Sequence, residues 1–326
     1  MSDISKVTVV MYHYVRDLHN SRYPEIRGLD INDFKAQLDY LDKYYNFVTI
    51  EGIINNIEQQ EPLPQKAILL TFNDSYSDHF NNVFPILDKR SIQGCFYPEV
   101  AAIQEQRVLL NHKIHFVLAA ASNSREIKER IFGILDKLRN DHQLESNKYY
   151  YKKLAKDSKY DSKDTIFVKR LLQIELPEHI REKVANQLFE EFIGVGQSVF
   201  SKELYLDRKQ IKCMSNHGMH FGILGYHHRR YNTLSREKQK EEITKSRDFL
   251  INIGEDLSML TASYPWGAYN HDTLDIMREI DCKVAFTTHA DVADLTSYSN
   301  LELPRLDTNE IPKSTEAKPN QWYDEA

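Results

Sequence analysis

Residues 67–76 read Ala-Ile-Leu-Leu-Thr-Phe-Asn-Asp-Ser-Tyr, an apolar run that ends in Thr71, Asn73 and Asp74. A short unbroken apolar run is the form a strand takes when both of its faces are buried, as in a parallel α/β sheet. Sheets of that kind place their chemistry beyond the carboxyl ends of the strands. Asn73 and Asp74 are therefore the first candidate site residues.

Outward from this stretch, short apolar segments alternate with longer amphipathic ones, the βα rhythm of a mostly parallel sheet or barrel. Strands are expected at Val7–Tyr12, Phe47–Ile50, Ala67–Phe72, Gly94–Pro98, Met219–Gly222, Leu260–Tyr264 and Lys283–Thr287. Helical spacing marks Ile31–Tyr44, with Asp30 as its N-cap, and also Ser235–Ile253 and Asp272–Ile280. Between residues 101 and 205 strand signals nearly vanish and charged helical stretches take over, at Ser124–Asn140, Lys163–Gln173 and Glu178–Phe192. The chain is thus expected to divide into a barrel of residues 1–100 and 206–312, a helical insertion of residues 101–205, and a polar, poorly ordered tail of residues 313–326. The run Lys148-Tyr-Tyr-Tyr-Lys-Lys153 reads as a solvated helix face, or as a surface that stacks on sugars.

Composition narrows the function classes. The 326 residues are 41% hydrophobic and 28% charged, with a formal net charge of −6, which suits a globular chain and disfavours a nucleic-acid partner. No apolar stretch approaches the roughly 20 residues that span a bilayer, and no signal peptide is read at the N-terminus, so a cytoplasmic location is expected. Cys95, Cys213 and Cys282 lack Cys-x-x-Cys spacing and read as free thiols.

With the Thr-Phe-Asn-Asp-Ser strand end in view, the chain resembles the polysaccharide deacetylases, the NodB-homology carbohydrate esterases, whose first motif is Thr-Phe-Asp-Asp-Gly. Three further segments carry the resemblance. His220-Phe-Gly-Ile-Leu-Gly-Tyr-His-His-Arg-Arg-Tyr-Asn-Thr-Leu234 is similar to the second motif, Ala262-Ser-Tyr-Pro-Trp-Gly-Ala-Tyr-Asn270 to the aromatic loop, and Leu303-Pro-Arg-Leu-Asp-Thr308 to the closing segment. The resemblance implies a distorted (β/α) barrel, with Asp74 and His228 as ligands of a divalent metal such as zinc. It further implies site roles for Asn73 and Asp307, and substrate contacts from His13, Tyr264, Trp266 and Arg305.

Two letters depart from the family pattern. Asn73 stands where the family has its general base, and an amide accepts no proton at neutral pH. Leu224 stands at the first histidine of the second motif, which leaves the metal site incomplete unless His227, His220 or His13 fills in. His112 and His115 share a helical face and read as substrate contacts or packing; His217 and His220 read as structural. The resemblance implies a carbohydrate substrate, nucleotide- or lipid-linked, losing an N-acyl group during surface-glycan assembly. The alternative is a catalytically degenerate fold that binds a sugar or a biosynthetic partner without turnover.

Overall fold

The computed structural model describes residues 5–158 and 161–326. They form two compact units, one of Met1–Asp17, Gly28–Glu105 and Lys202–Ala326, the other of Leu18–Arg27 and Gln106–Ser201.

Among the described residues, the ring of the first unit is formed by β1 (Lys6–Tyr12), β2 (Ala67–Asn73), β3 (Gly94–Tyr97), β4 (His220–Phe221), β5 (Thr261–Ser263), β6 (Val284–Phe286) and β7 (Leu306–Asp307). β1 pairs parallel with β2, β2 with β3, β3 with β4 and β5 with β6. The bridges Ile223↔Ala262 and Phe286↔Leu303 join the remaining neighbours, and Val10↔Leu306 brings β7 back onto β1. The strands therefore close into a ring, which is the distorted (β/α) barrel.

Strand alternation explains the unbroken apolar run. Val10, Tyr12, Leu70 and Phe72 enter one apolar cluster, while Val7, Val9, Ala67 and Leu69 enter another. Phe72 stacks between Tyr12 at 5.1 Å and Phe96 at 4.8 Å, so truncation to alanine would cost about 3–5 kcal/mol. Thr71 and Asn73 continue the face of Val9 and Leu69, and this carries Asn73 to the strand's end.

Local caps fix the helices around the ring. Asp30 accepts from the Asn32 backbone N–H ahead of Ile31–Tyr44, Ser235 caps Arg236–Asn252, and Asn270 with Thr273 forms a capping box before His271–Glu279. One expected strand is shortened: pairing stops at Phe47, because the Thr49 side chain caps a helix over Ile50–Gln59. The tail is also ordered, unlike the expectation. Gln321–Glu325 is helical, the Trp322 indole N–H donates to Glu310, and Lys66 lies over the Tyr323 ring.

The second unit is helical, with Leu110–Ala120, Ser124–Leu138, Asn147–Leu154, Lys163–Arg170 and Glu178–Ile193 as its longest elements. Lys113 is buried and reaches Glu182 at 3.1 Å and Asn186 at 2.7 Å. Of the tyrosine run, Tyr150 is buried, Tyr151 donates to Asp164, and only Tyr149 is well exposed. His112 is buried with its ring 6.1 Å from that of His115. No helix among the described residues is long and apolar enough to cross a membrane, and all three cysteines are free thiols.

Candidate functional site

The candidate site lies at the carboxyl ends of consecutive barrel strands. Asp74 follows β2, Glu99 follows β3, His228 lies on the loop after β4, and Trp266 on the loop after β5. Asp74, His228 and Trp266 adopt left-handed backbone conformations, with φ of 68°, 57° and 61°. Each such non-glycine residue costs about 1–3 kcal/mol, and strain of that kind collects at sites where geometry matters more than stability.

Asp74, Glu99 and His228 each offer a donor atom within 4.8 Å of the others. His228 Nδ1 lies 3.2 Å from Glu99 Oε1, and its Nε2 lies 3.9 Å from Asp74 Oδ1. The Tyr76 hydroxyl donates to Asp74 Oδ2 at 2.6 Å. Glu99 is fully buried, and its carboxyl is pushed well above the usual range by desolvation first, then by the charge of Asp74 and a hydrogen bond shared with it.

Ser75, where the family has glycine, binds Glu99 to this cluster. Its Oγ accepts from the Glu99 backbone N–H at 2.6 Å and donates to the Glu99 carbonyl at 3.3 Å. Glu99 is the residue that the sequence reading missed. The available signal was an acid directly after an expected strand, at the same end of the barrel as Asp74.

The other candidates fall into place around these three. Leu224 is fully buried in the apolar cluster with Val9, Tyr97, Phe286 and Leu303, so its position provides no ligand. His227 is turned to Glu242, which lies 2.6 Å from its Nδ1 and accepts from its backbone N–H at 2.7 Å. His220 hydrogen-bonds the Thr261 hydroxyl, and His13 accepts at its carbonyl from His79. Among the described residues, the donor atoms grouped within 4.8 Å of one another are those of Asp74, Glu99 and His228.

Three expected site residues have partners within the fold. Asp307 accepts from the backbone N–H and the side chain of Asn309, capping the turn that follows. Tyr264 is buried, stacks on Tyr269 and donates to the Leu301 carbonyl, so its hydroxyl is structural rather than substrate-binding. Arg305 is only 1% exposed and contacts no substrate surface; it donates to Thr287 O, Thr71 Oγ1, Asn73 Oδ1 and Ser263 Oγ. None of these partners is a carboxylate, and burial lowers the guanidinium to about 10. Asn73 is held in turn: its Oδ1 accepts from Arg305 at 3.0 Å, and its Nδ2 faces Met11 Sδ at 3.8 Å.

Trp266 forms the outer wall. Its ring lies 5.5 Å from that of His228, and its indole N–H donates to the His228 carbonyl at 3.3 Å. Gly267, with φ of 64°, completes the turn where a Cβ would stand 2.1 Å from the Thr288 hydroxyl.

The donor set of two carboxylates and one imidazole is one that divalent zinc, manganese, cobalt or iron accepts. A cation among them would also offset the repulsion between two buried acids, so the residues fit a divalent metal.

A family model described as polysaccharide deacetylase matches residues 158–285. The putative polysaccharide deacetylase YxkH of Bacillus subtilis (strain 168) is 24% identical over 94 residues, 28% of this chain and 32% of that protein. The match thus spans about a third of that relative's length. Among solved structures, the Streptococcus pyogenes deacetylase PplD in complex with acetate superposes with a TM-score of 0.57 at 18% identity, covering 95% of each chain. IcaB from Ammonifex degensii gives 0.55 at 16% identity, over 93% of this chain and 92% of that one. At such identities these two structures speak for the fold.

Proposed function

We propose, from the match to the polysaccharide deacetylase family model and the motifs shared with it, that the chain is a divalent-metal-dependent hydrolase removing an N-acyl group from a carbohydrate. The observation that carries this reading is the convergence of Asp74, Glu99 and His228 beneath Trp266. PplD was solved with acetate, the product a deacetylase releases. A nucleotide- or lipid-linked sugar of surface-glycan assembly is the substrate class we favour.

In this reading Asp74, Glu99 and His228 would hold the cation. When bound, it supplies Lewis-acid polarisation of an acyl carbonyl. The chain's own residues do the rest. Tyr76, its phenol kept protonated by burial and by the charge of Asp74, orients Asp74 through a donated hydrogen bond. Ser75 fixes the peptide of Glu99, and Trp266, beside His228, provides an aromatic wall for a sugar. Asn73 can donate a hydrogen bond through Nδ2 but cannot take a proton, so turnover is slow, by about 10²–10⁴-fold against an intact base.

The bond from Arg305 to Asn73 favours a second reading, sugar binding without turnover. Metal content after equilibration with zinc, manganese or cobalt, combined with acetate release from N-acetylated chito-oligosaccharides, separates the two. Stoichiometric metal with slow acetate release supports the hydrolase; metal and sugar binding without acetate supports the binder. Protein free of metal under every condition overturns the metallohydrolase.

A further inference from the structure

The loop that carries His228 continues with two arginines, and their environments differ. Arg229 lies 3.7 Å from Glu242 Oε1. Arg230 is stacked instead, its guanidinium carbon 4.5 Å from the centroid of the Trp266 ring. That same ring lies 5.5 Å from the ring of His228, so Arg230 and a member of the Asp74, Glu99 and His228 cluster share one indole neighbour.

Arg230 is half-buried, and it forms no ion pair among the described residues. In a chain where acids outnumber bases, 48 to 42, Arg16, Arg90, Arg130 and Arg236 each meet a carboxylate, whereas Arg230 lies over an aromatic ring at the edge of the site. Stacking on an indole occupies the face of the guanidinium and leaves its in-plane fork of N–H donors, which matches a carboxylate or a phosphate. A partly desolvated arginine strengthens such a contact, because less hydration is given up when the anion arrives.

We propose that Arg230 is a specificity-determining residue that binds an anionic group, carboxylate or phosphate, on the carbohydrate held against Trp266. The substrate class is then an acidic sugar: a uronate-bearing glycan or a phosphate-linked sugar. The proposal rests on the reading of the Asp74 cluster as a carbohydrate site.

The test compares three ligands by titration calorimetry on the full chain: neutral N-acetylchitotetraose, a hyaluronan tetrasaccharide bearing hexuronates, and UDP-N-acetylglucosamine. At least one acidic ligand is expected to bind about 10-fold or more tightly than the neutral one, the effect of one charge-assisted hydrogen bond. Which acidic ligand binds tighter identifies the group as carboxylate or phosphate. In Arg230→Gln the ratio of acidic to neutral affinity should collapse toward one, and Arg230→Lys should restore part of it. Neutral and acidic ligands binding equally to the wild type would overturn the proposal alone, as would an Arg230→Gln variant that weakens all three by the same factor. No binding of any of the three would overturn the carbohydrate site and the proposal together.

Discussion

Arg305 donates to Asn73 Oδ1 at 3.0 Å in a setting that excludes water and offers the guanidinium no carboxylate. A buried cation among neutral acceptors is costly, and an acid at position 73 would relieve it.

Asn73→Asp is therefore expected to stabilise the protein at neutral pH by about 1–3 kcal/mol, the range for hydrogen bonds between charged groups. Paired with Arg305, the new carboxyl would titrate below its unfolded value near 4. The gain is then complete above that value and disappears as pH falls through the lower, folded one. Urea unfolding of both proteins at pH 7 and pH 3 checks it. The same variant should raise acetate release by about 10²–10⁴-fold if proton abstraction limits turnover; an unchanged rate with bound metal would place the limit elsewhere.

Glu99→Gln and His228→Ala are each expected to weaken metal binding by more than the 10–100-fold typical of losing only a supporting partner. Competition with a chromophoric chelator measures this. Metal retained at full affinity in Glu99→Gln would remove Glu99 from the ligand set.

Ser75→Ala deletes an acceptor for the Glu99 backbone N–H, an unmet buried donor costing about 1–3 kcal/mol. Metal affinity should fall alongside stability, because Glu99 loses its tether. If thermal unfolding shifts while chelator competition is unchanged, Ser75 is structural only.

His79 gives the pH dependence a definite sign. Burial holds its imidazole at about 4, against about 6.5 in an unfolded chain. Between these values the unfolded chain takes up a proton that the folded protein refuses. Stability should therefore fall as pH drops from 6.5 to 4, by about 3 kcal/mol at most from this residue. His79→Gln should flatten that slope, which urea midpoints at pH 6.5, 5.5 and 4.5 would show.

Glu242 is expected to position the loop that carries His228. Burial would raise its carboxyl, but hydrogen bonds from the ring and backbone of His227 outweigh this and hold it below the usual range. Glu242→Gln keeps an acceptor but removes the charge, and should reduce metal affinity by about 10-fold through the adjoining His228. A chelator titration that matches the wild type would confine Glu242 to a structural role.

Much of the barrel was legible because its strands are short, wholly apolar and followed by capped helices, as at Ala67–Asn73 and Ile31–Tyr44. Two-residue pairings such as Leu306–Asp307 carry too little periodicity to be read. At the site, Asp74 and His228 were found through motifs they share with a family. Glu99 was not, because its role depends on β2 and β3 lying side by side, a relation between distant segments. The partners of Asp307 and Tyr264 were not legible for the converse reason: motif position does not say whether a side chain points to the groove or caps a turn.

The left-handed conformation of Trp266 makes its backbone and its ring separable by mutation. Glycine at that position relaxes the turn and deletes the indole, whereas phenylalanine retains an aromatic face and the backbone strain. Ligand affinity and protein stability should thus move in opposite directions across that pair, so a library at residue 266 sorted first for stability would select against recognition.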